Sequence, residues 1–262
     1  MQMLGLIDPV FVASGFGVGF LVGMTGVGGG SLMTPLLVLL FGLDARVAVG
    51  TDLLYASLTK AVGSLAHGSG GTVNWRITWH LALGSIPAAV LTIAALYFLG
   101  PTSNESAALI KAVLGGALLL TAICVFARPR LLRLMQAVAP ASLFVHRAGV
   151  TMAFGALLGV LVSISSVGAG AIGMTALVFL YPEEPTVRLV GSDIAHAVPL
   201  TLVAGLGHLL LGSVDGGILI SLLIGSVPGI VIGSRLASRV PEFVLRPALA
   251  ATLALVGIRM LS

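Results

Sequence analysis

Apolar residues in this chain run in long unbroken blocks, without the alternation of a half-buried strand or the one-sided stripe of a surface helix. The blocks cover 10–24, 31–40, 47–66, 77–99 and 107–127 in the first half, and 148–162, 169–180, 187–211, 218–237 and 243–261 in the second. A helix that is apolar on every side belongs in a membrane or at the centre of a large protein. About 20 such residues suffice for one crossing. The pattern therefore predicts an all-α integral membrane protein. The first two blocks of each half are too short to cross upright, and glycines join each short pair where a charged loop would be expected. Such joints predict discontinuous helices or re-entrant hairpins meeting inside the membrane.

The two halves repeat one another. Val27-Gly28-Gly29-Gly30 stands 140 residues before Val167-Gly168-Ala169-Gly170, and Val49-Gly50-Thr51-Asp52-Leu53 stands 141 before Val190-Gly191-Ser192-Asp193-Ile194. The same shift pairs His67 with His208 and Gly84-Ser85-Ile86-Pro87 with Gly225-Ser226-Val227-Pro228. Matches in one order at one spacing indicate an internal duplication. The chain then divides into a first membrane repeat, 1–127, a basic linker, 128–147, and a second membrane repeat, 148–262. The linker carries Arg128, Arg130, Arg133 and Arg147, and a second basic group is formed by Arg235, Arg239 and Arg246. The positive-inside rule puts both groups in the cytoplasm. An odd number of crossings per repeat then turns the second copy upside down. The expected architecture is two inverted repeats, each a glycine-broken pair of short helices followed by three transmembrane helices, with a site near the midplane where they meet.

Composition narrows the class. Hydrophobic residues make up 58% and charged residues 8% of the 262 positions, against about a quarter charged in soluble domains. The mean hydropathy is +1.15. A water-soluble globule, a disordered chain and a nucleic-acid binder are excluded together. The net charge of +4 and the pI near 9.8 come from a few loop charges that serve topology. No basic leader precedes the first apolar block, so no cleavable signal is expected. The single cysteine, Cys124, lies in an apolar run and reads as a small buried hydrophobe. No metal site is expected, because neither a paired-histidine motif nor a Cys/His cluster is present. No Walker motif calls for a nucleotide, and no cofactor is expected. Ser163, Ser165 and Ser166 lie in the second glycine break without a GxSxG elbow, so the chain does not read as an enzyme.

Candidate chemistry gathers at the glycines and at a few polar residues inside apolar blocks. Contiguous glycine weakens a helix, and a break there frees amides at the start of the next helix, where the dipole favours an anion. Close helix packing is the plainer explanation, and it serves isolated glycines such as Gly15 and Gly19 well. Asp52 and Asp193 recur at equivalent places, as first-turn caps or as groups that meet substrate or a coupling ion. Thr51 and Ser192 beside them can donate to an oxyanion. Lys60, one of two lysines, stands within an apolar block and pairs with Asp52 or an anion unless it snorkels. Lys111 lies nearer a block end and snorkels more readily. His196 follows Asp193 by three residues on one helical face. The pair can exchange protons near neutral pH, or His196 serves packing alone. His67 and His208 are expected at the mouths of their helices, and His80 and His146 at interfaces.

GVGGGSLMTPLL, AVGTDL, the histidine closing the third block and the weaker second VGAG together resemble the sulfite exporter TauE/SafE family, also called the toluene sulfonate uptake permease family. The resemblance spans nearly the whole chain. It implies movement of sulfite, thiosulfate, sulfonate or sulfoacetate across the inner membrane by a multi-pass protein. The expected substrate-binding residues are Gly28, Gly29, Gly30, Thr51 and Lys60 from one repeat and Ser165, Ser166, Gly168, Gly170 and Ser192 from the other. Asp52, Asp193, His196, His67 and His208 are the coupling or gating set. The expected mechanism is a secondary transporter, most simply an exporter, with a passive anion channel or an assembly subunit as alternatives. The expected partners are the small sulfur anion and the lipid bilayer, with proton coupling and a homodimer as open options and no nucleic acid.

Overall fold

The computed structural model describes residues 7–25, 30–69, 71–100, 103–138, 146–236 and 242–261. These residues form helices and connecting turns, with no strand among them. In order the helices are α1 (Pro9–Thr25), α2 (Gly30–Leu39), α3 (Ala45–Ser69), α4 (Trp75–Leu99), α5 (Asn104–Phe126), α6 (Arg128–Val138), α7 (Arg147–Ser165), α8 (Ala171–Leu180), α9 (Thr186–Leu210), α10 (Gly216–Leu236) and α11 (Glu242–Leu261). Every apolar block has become a helix whose ends lie within three residues of those read from the pattern. Five helices, α4, α5, α7, α9 and α10, have the length and composition to cross a membrane. At 10 residues each, α2 and α8 reach about 15 Å, half of the roughly 30 Å hydrocarbon core.

Local sequence sets the ends. Asn74 precedes α4, and its side-chain oxygen accepts from the Arg76 and Ile77 amides at 3.2 and 3.4 Å. Gly100 ends that helix at a φ of 90°, a backbone geometry that favours glycine. Ser103 caps α5 through a 3.1 Å bond from the Ser106 amide, with Glu105 in the first turn. One helix, α6, was not anticipated inside the basic linker. Its Leu131 packs against Cys124, Leu158 and Ile172, while Arg130 and Arg133 are exposed.

Polarity is arranged inside out. Leu91, Phe98 and Leu210 are exposed on the outside, whereas Thr51, Asp52, Lys60, Ser85, Ser163, Ser192, Asp193, His196 and His208 are buried. Exposed Trp75 and Trp79 at one end of α4 and Tyr97 and Phe98 at the other mark the aromatic belts of a spanning helix.

The main helix pairs are α1 with α10, α4 with α7, α3 with α9, and α5 with α11. Exchanging corresponding helices of the two halves leaves this set unchanged. Glycines make the approaches. A Cβ on Gly84 would stand 1.8 Å from the Met152 carbonyl oxygen, and one on Gly225 would stand 1.8 Å from that of Val12. A Cβ on Gly155 would likewise meet the Leu81 oxygen and one on Gly15 the Leu222 oxygen, each at 2.3 Å, while Gly159 and Gly19 lie against Ser85 and Ser226. Each couple repeats at the 140–141 spacing. Gly15 and Gly19 are thus packing residues, as the plainer explanation held.

Replacing Gly84 by alanine should force α4 from α7 and lower stability by about 1–3 kcal/mol. Gly116→Ala on α5, where a Cβ meets open space, should not destabilise. Thermal unfolding of the purified proteins in detergent reads both.

Candidate membrane transport site

The clearest of the chain's joints is between α7 and α8. Ser166 ends α7 at a φ of 58°, and Gly168 and Gly170 follow at 124° and 138°. Those angles suit glycine and explain why the motif keeps glycine there while Ala169 does not need to be one. Gly173 donates to the Gly168 carbonyl at 3.1 Å and Met174 to that of Gly170 at 2.8 Å. Among the described residues, the amides of 168–172 donate to no backbone carbonyl outside regular helix bonding. A buried break whose amides have no such partner among the described residues, at the start of a helix, is an arrangement that accepts negative charge.

Lys60 arrives at this break from the other repeat. It is 8% exposed, and its Nζ donates to the Ala169 carbonyl at 3.2 Å. One of its three N–H donors is thereby engaged. Snorkelling is excluded, since the ammonium points inward. Its charge acts on two carboxylates, Asp193 and Asp52. Asp52 lies about two turns inside α3 and caps a different helix: its Oδ2 accepts from the Thr34 amide at 3.2 Å and from the Thr34 hydroxyl. Its Oδ1 has no hydrogen-bond partner among the described residues, and the Ser166 side chain lies beside the carboxyl. Asp193 packs on the first turn of α8, where a Cβ on Gly173 would stand 2.4 Å from its Oδ1. Among the described residues that oxygen too has no hydrogen-bond partner, nor does the buried hydroxyl of Ser163, while that of Ser166 faces Asp52.

Other expected site residues stand apart. The Thr51 hydroxyl accepts from the Asp215 amide at 3.1 Å, and that of Ser192 accepts from the Asn74 amide at 2.8 Å. These are equivalent bonds: each third helix holds the loop that starts the other repeat's fourth helix, and Asp215 caps α10 as Asn74 caps α4. Ser165 is occupied locally, donating to the Leu161 carbonyl at 2.7 Å and accepting from the Val167 amide at 3.2 Å. Gly30 opens α2, whereas Gly28 and Gly29 lie outside the described residues. His67 falls within α3, but its side chain lies outside the described part.

The expected Asp193–His196 contact is not a hydrogen bond. His196 Nε2 shares a 2.8 Å bond with Ser85 Oγ of α4. In the first repeat Tyr55 takes the equivalent place and lies beside Ser226, the equivalent of Ser85. In both repeats this position of the third helix faces the other repeat's fourth helix, through a hydrogen bond at His196 and through side-chain proximity at Tyr55. His208 is 1% exposed, and its Nε2 donates to the Ser163 carbonyl at 2.9 Å, so it lies inside the protein and not at a mouth.

Thr34, Ser85, Ser163 and Arg128, whose charge reaches Asp193, enter the site's surroundings without having been singled out as site residues. Ser85 and Ser226 were visible in the repeated Gly-Ser-x-Pro motif, which was read only as evidence of duplication. Thr34 has no such signal, because its equivalent is Met174.

An all-helical body, apolar outside, with charged and hydroxyl groups buried around a broken helix, defines a multi-pass membrane transporter. The family model described as sulfite exporter TauE/SafE matches residues 11–260, and the chain belongs to that family. The chain is 37% identical over 208 residues to the probable membrane transporter protein YjnA of Bacillus subtilis (strain 168), covering 78% of this chain and 80% of the relative. The probable membrane transporter protein YunE of the same organism is 44% identical over 80 residues, 30% of this chain and 28% of that one. The probable membrane transporter protein MJ0441 of Methanocaldococcus jannaschii is 24% identical over 220 residues, 81% and 76% of the two chains. No solved structure matches.

Thr51→Val and Ser192→Ala should each lower stability by about 1 kcal/mol, the usual worth of such a bond. Equilibrium anion affinity per folded molecule, measured alongside thermal unfolding, should be unchanged if these hydroxyls serve the loops alone.

Proposed function

We propose that the chain is a secondary transporter that moves small sulfur oxyanions out of the cell across the inner membrane. Alternating access between two inverted repeats is the mechanism this reading adopts. The observation that carries it is the Lys60 ammonium at the α7–α8 break, beside amides and hydroxyls that have donors to offer. Those are the groups that a small oxyanion needs in a site without water. The family's description supplies the sulfur chemistry. The exchange symmetry of the helix pairs supports the repeats, and the basic residues of α6 support a cytoplasmic face there.

The seat of the anion belongs to the second break in this reading. At the equivalent positions of the first repeat Lys60 is matched by Thr201, Ser163 by Gly23 and Ser166 by Gly26. Thr201 donates its hydroxyl to the Ala197 carbonyl at 2.8 Å. The glycine triplet, Gly28 to Gly30, then serves the mirrored joint and the conformational exchange. We assign His196 to positioning, because its partner Ser85 mirrors the Tyr55–Ser226 contact, and leave any proton link to the acids.

Purified protein in liposomes should take up sulfite or thiosulfate with saturation, more readily than it takes up sulfate, and the rate should respond to a pH gradient. Lys60→Met should lower apparent affinity about tenfold or more, in line with loss of a buried charged partner. Saturable transport of wild-type affinity by Lys60→Met would overturn the site, and flux without saturation would favour a channel. Cysteines placed near Glu105 and near Met135 should label from opposite sides of the membrane. Labelling from one side would remove the inverted topology.

A further inference from the structure

The anion site contains acceptors as well as donors. Asp193 Oδ1 is a buried acceptor atom with no hydrogen-bond partner among the described residues, whereas Asp52 has the Ser166 side chain beside it, and Asp193 Oδ1 abuts the same first turn of α8 that offers the amides. A fully deprotonated oxyanion brings further acceptors and nothing to satisfy a carboxylate. Building on the transporter reading above, we infer that the site takes a singly charged oxyanion that carries its own proton, hydrogensulfite being the type, with Asp193 accepting the hydrogen bond from the anion's O–H.

The assignment to Asp193 follows from the contrast between the two acids. Asp52 Oδ2 is held by the Thr34 amide and hydroxyl, while the equivalent of Thr34 beside Asp193 is Met174, which offers no hydroxyl. Lys60 faces both carboxylates from α3, and Arg128 at the start of α6 reaches Asp193. His196 follows one turn along α9, with its ring on Ser85 of α4. The other titratable groups on α4 are Arg76 and His80 near its start and Tyr97 near its end. Tyr55 of α3 lies beside Ser226 of α10. α8 carries no charged residue, and the charge on α7, Arg147, is paired with Glu183 at the far end of that helix. The Lys60 ammonium and the Arg128 guanidinium already answer the two acids, so a second full negative charge on the ligand is opposed while a shared proton is welcomed. The ligand's proton crosses with it, and transport of this kind carries a proton without titration of the protein.

The test is calorimetric binding to the purified protein in detergent, with sodium sulfite, sodium sulfate and sodium methanesulfonate at about pH 6 and about pH 8, the range in which hydrogensulfite gives way to sulfite and histidine titrates. Sulfite should bind severalfold more tightly at the lower pH. Sulfate should be weaker by about a hundredfold or more at both, since a site built around a ligand's O–H rejects the analogue that lacks it. Methanesulfonate, singly charged without a proton, should bind weakly and alike at both. Asp193→Asn should gain sulfate affinity and lose the pH dependence for sulfite, while His196→Gln should keep it. Sulfate or methanesulfonate binding as tightly as sulfite would overturn the inference, as would a methanesulfonate affinity that rises at low pH in step with that of sulfite. Those outcomes leave the transporter reading standing, and they come from the wild type, so they decide the matter even where a variant does not fold. Failure of the wild type to bind sulfite at either pH, together with absent flux in liposomes, would instead overturn the functional reading.

Discussion

A peptide group inside a bilayer has no water to bond with, and leaving one unpaired costs several kcal/mol. The α7–α8 break must therefore be enclosed by protein, and its loose groups must find partners there. Lys60 supplies one by donating to the Ala169 carbonyl. An ammonium in that position is itself costly, and the carboxylates of Asp52 and Asp193 are what make it tolerable. Those acids in turn depend on the short helices: Asp52 on Thr34 in α2, and Asp193 on the first turn of α8. Break, lysine and acids form one electrostatic unit. Removing any member leaves another unanswered.

That unit spans both halves, so it exists only when the halves are packed closely. Backbone contact at glycine provides the closeness. With Gly84, Gly155 and Gly159 joining α4 to α7, and Gly225, Gly15 and Gly19 joining α10 to α1, α3 and α9 are pressed together at the centre, where Lys60 crosses to the other repeat. The reciprocal bonds of Thr51 to Asp215 and Ser192 to Asn74 anchor each repeat's third helix in the other repeat's loop. Neither half encloses its polar residues alone.

Much of this was legible in the sequence because membrane helices announce themselves by length and uniform apolarity, and because duplication repeats a signal. The helix boundaries, the second glycine joint and the place of Asp52, Asp193 and Lys60 inside apolar blocks all follow from patterns that need no third dimension. What escaped depends on which helix faces which. Nothing in the order of residues says that Thr51 and Ser192 turn to loops of the opposite repeat, that His196 meets Ser85 instead of Asp193, or that Lys60 reaches the second glycine cluster. His208 misled for a related reason: it ends α9, and the end of a helix suggests a mouth, but α7 extends beside it and buries the ring against Ser163.

On the proposed reading, duplication and divergence divide the work between frame and site. Where the two repeats agree, at the packing glycines, the loop anchors and the contact between the third and fourth helices, the residues hold helices to one another. The disagreements lie elsewhere. Lys60 against Thr201, Ser163 against Gly23, Ser166 against Gly26 and Met174 against Thr34 all fall at the polar centre. A frame benefits from symmetry because the same contact used twice lets two arrangements of the repeats have similar energy, which alternating access requires. A site for one small anion does not benefit, because two equal seats a short distance apart would place like charges side by side. In the transporter proposed above, one lysine near the middle of a symmetric frame would satisfy both demands: it would give the anion a single seat and leave the geometry on either side of it interchangeable.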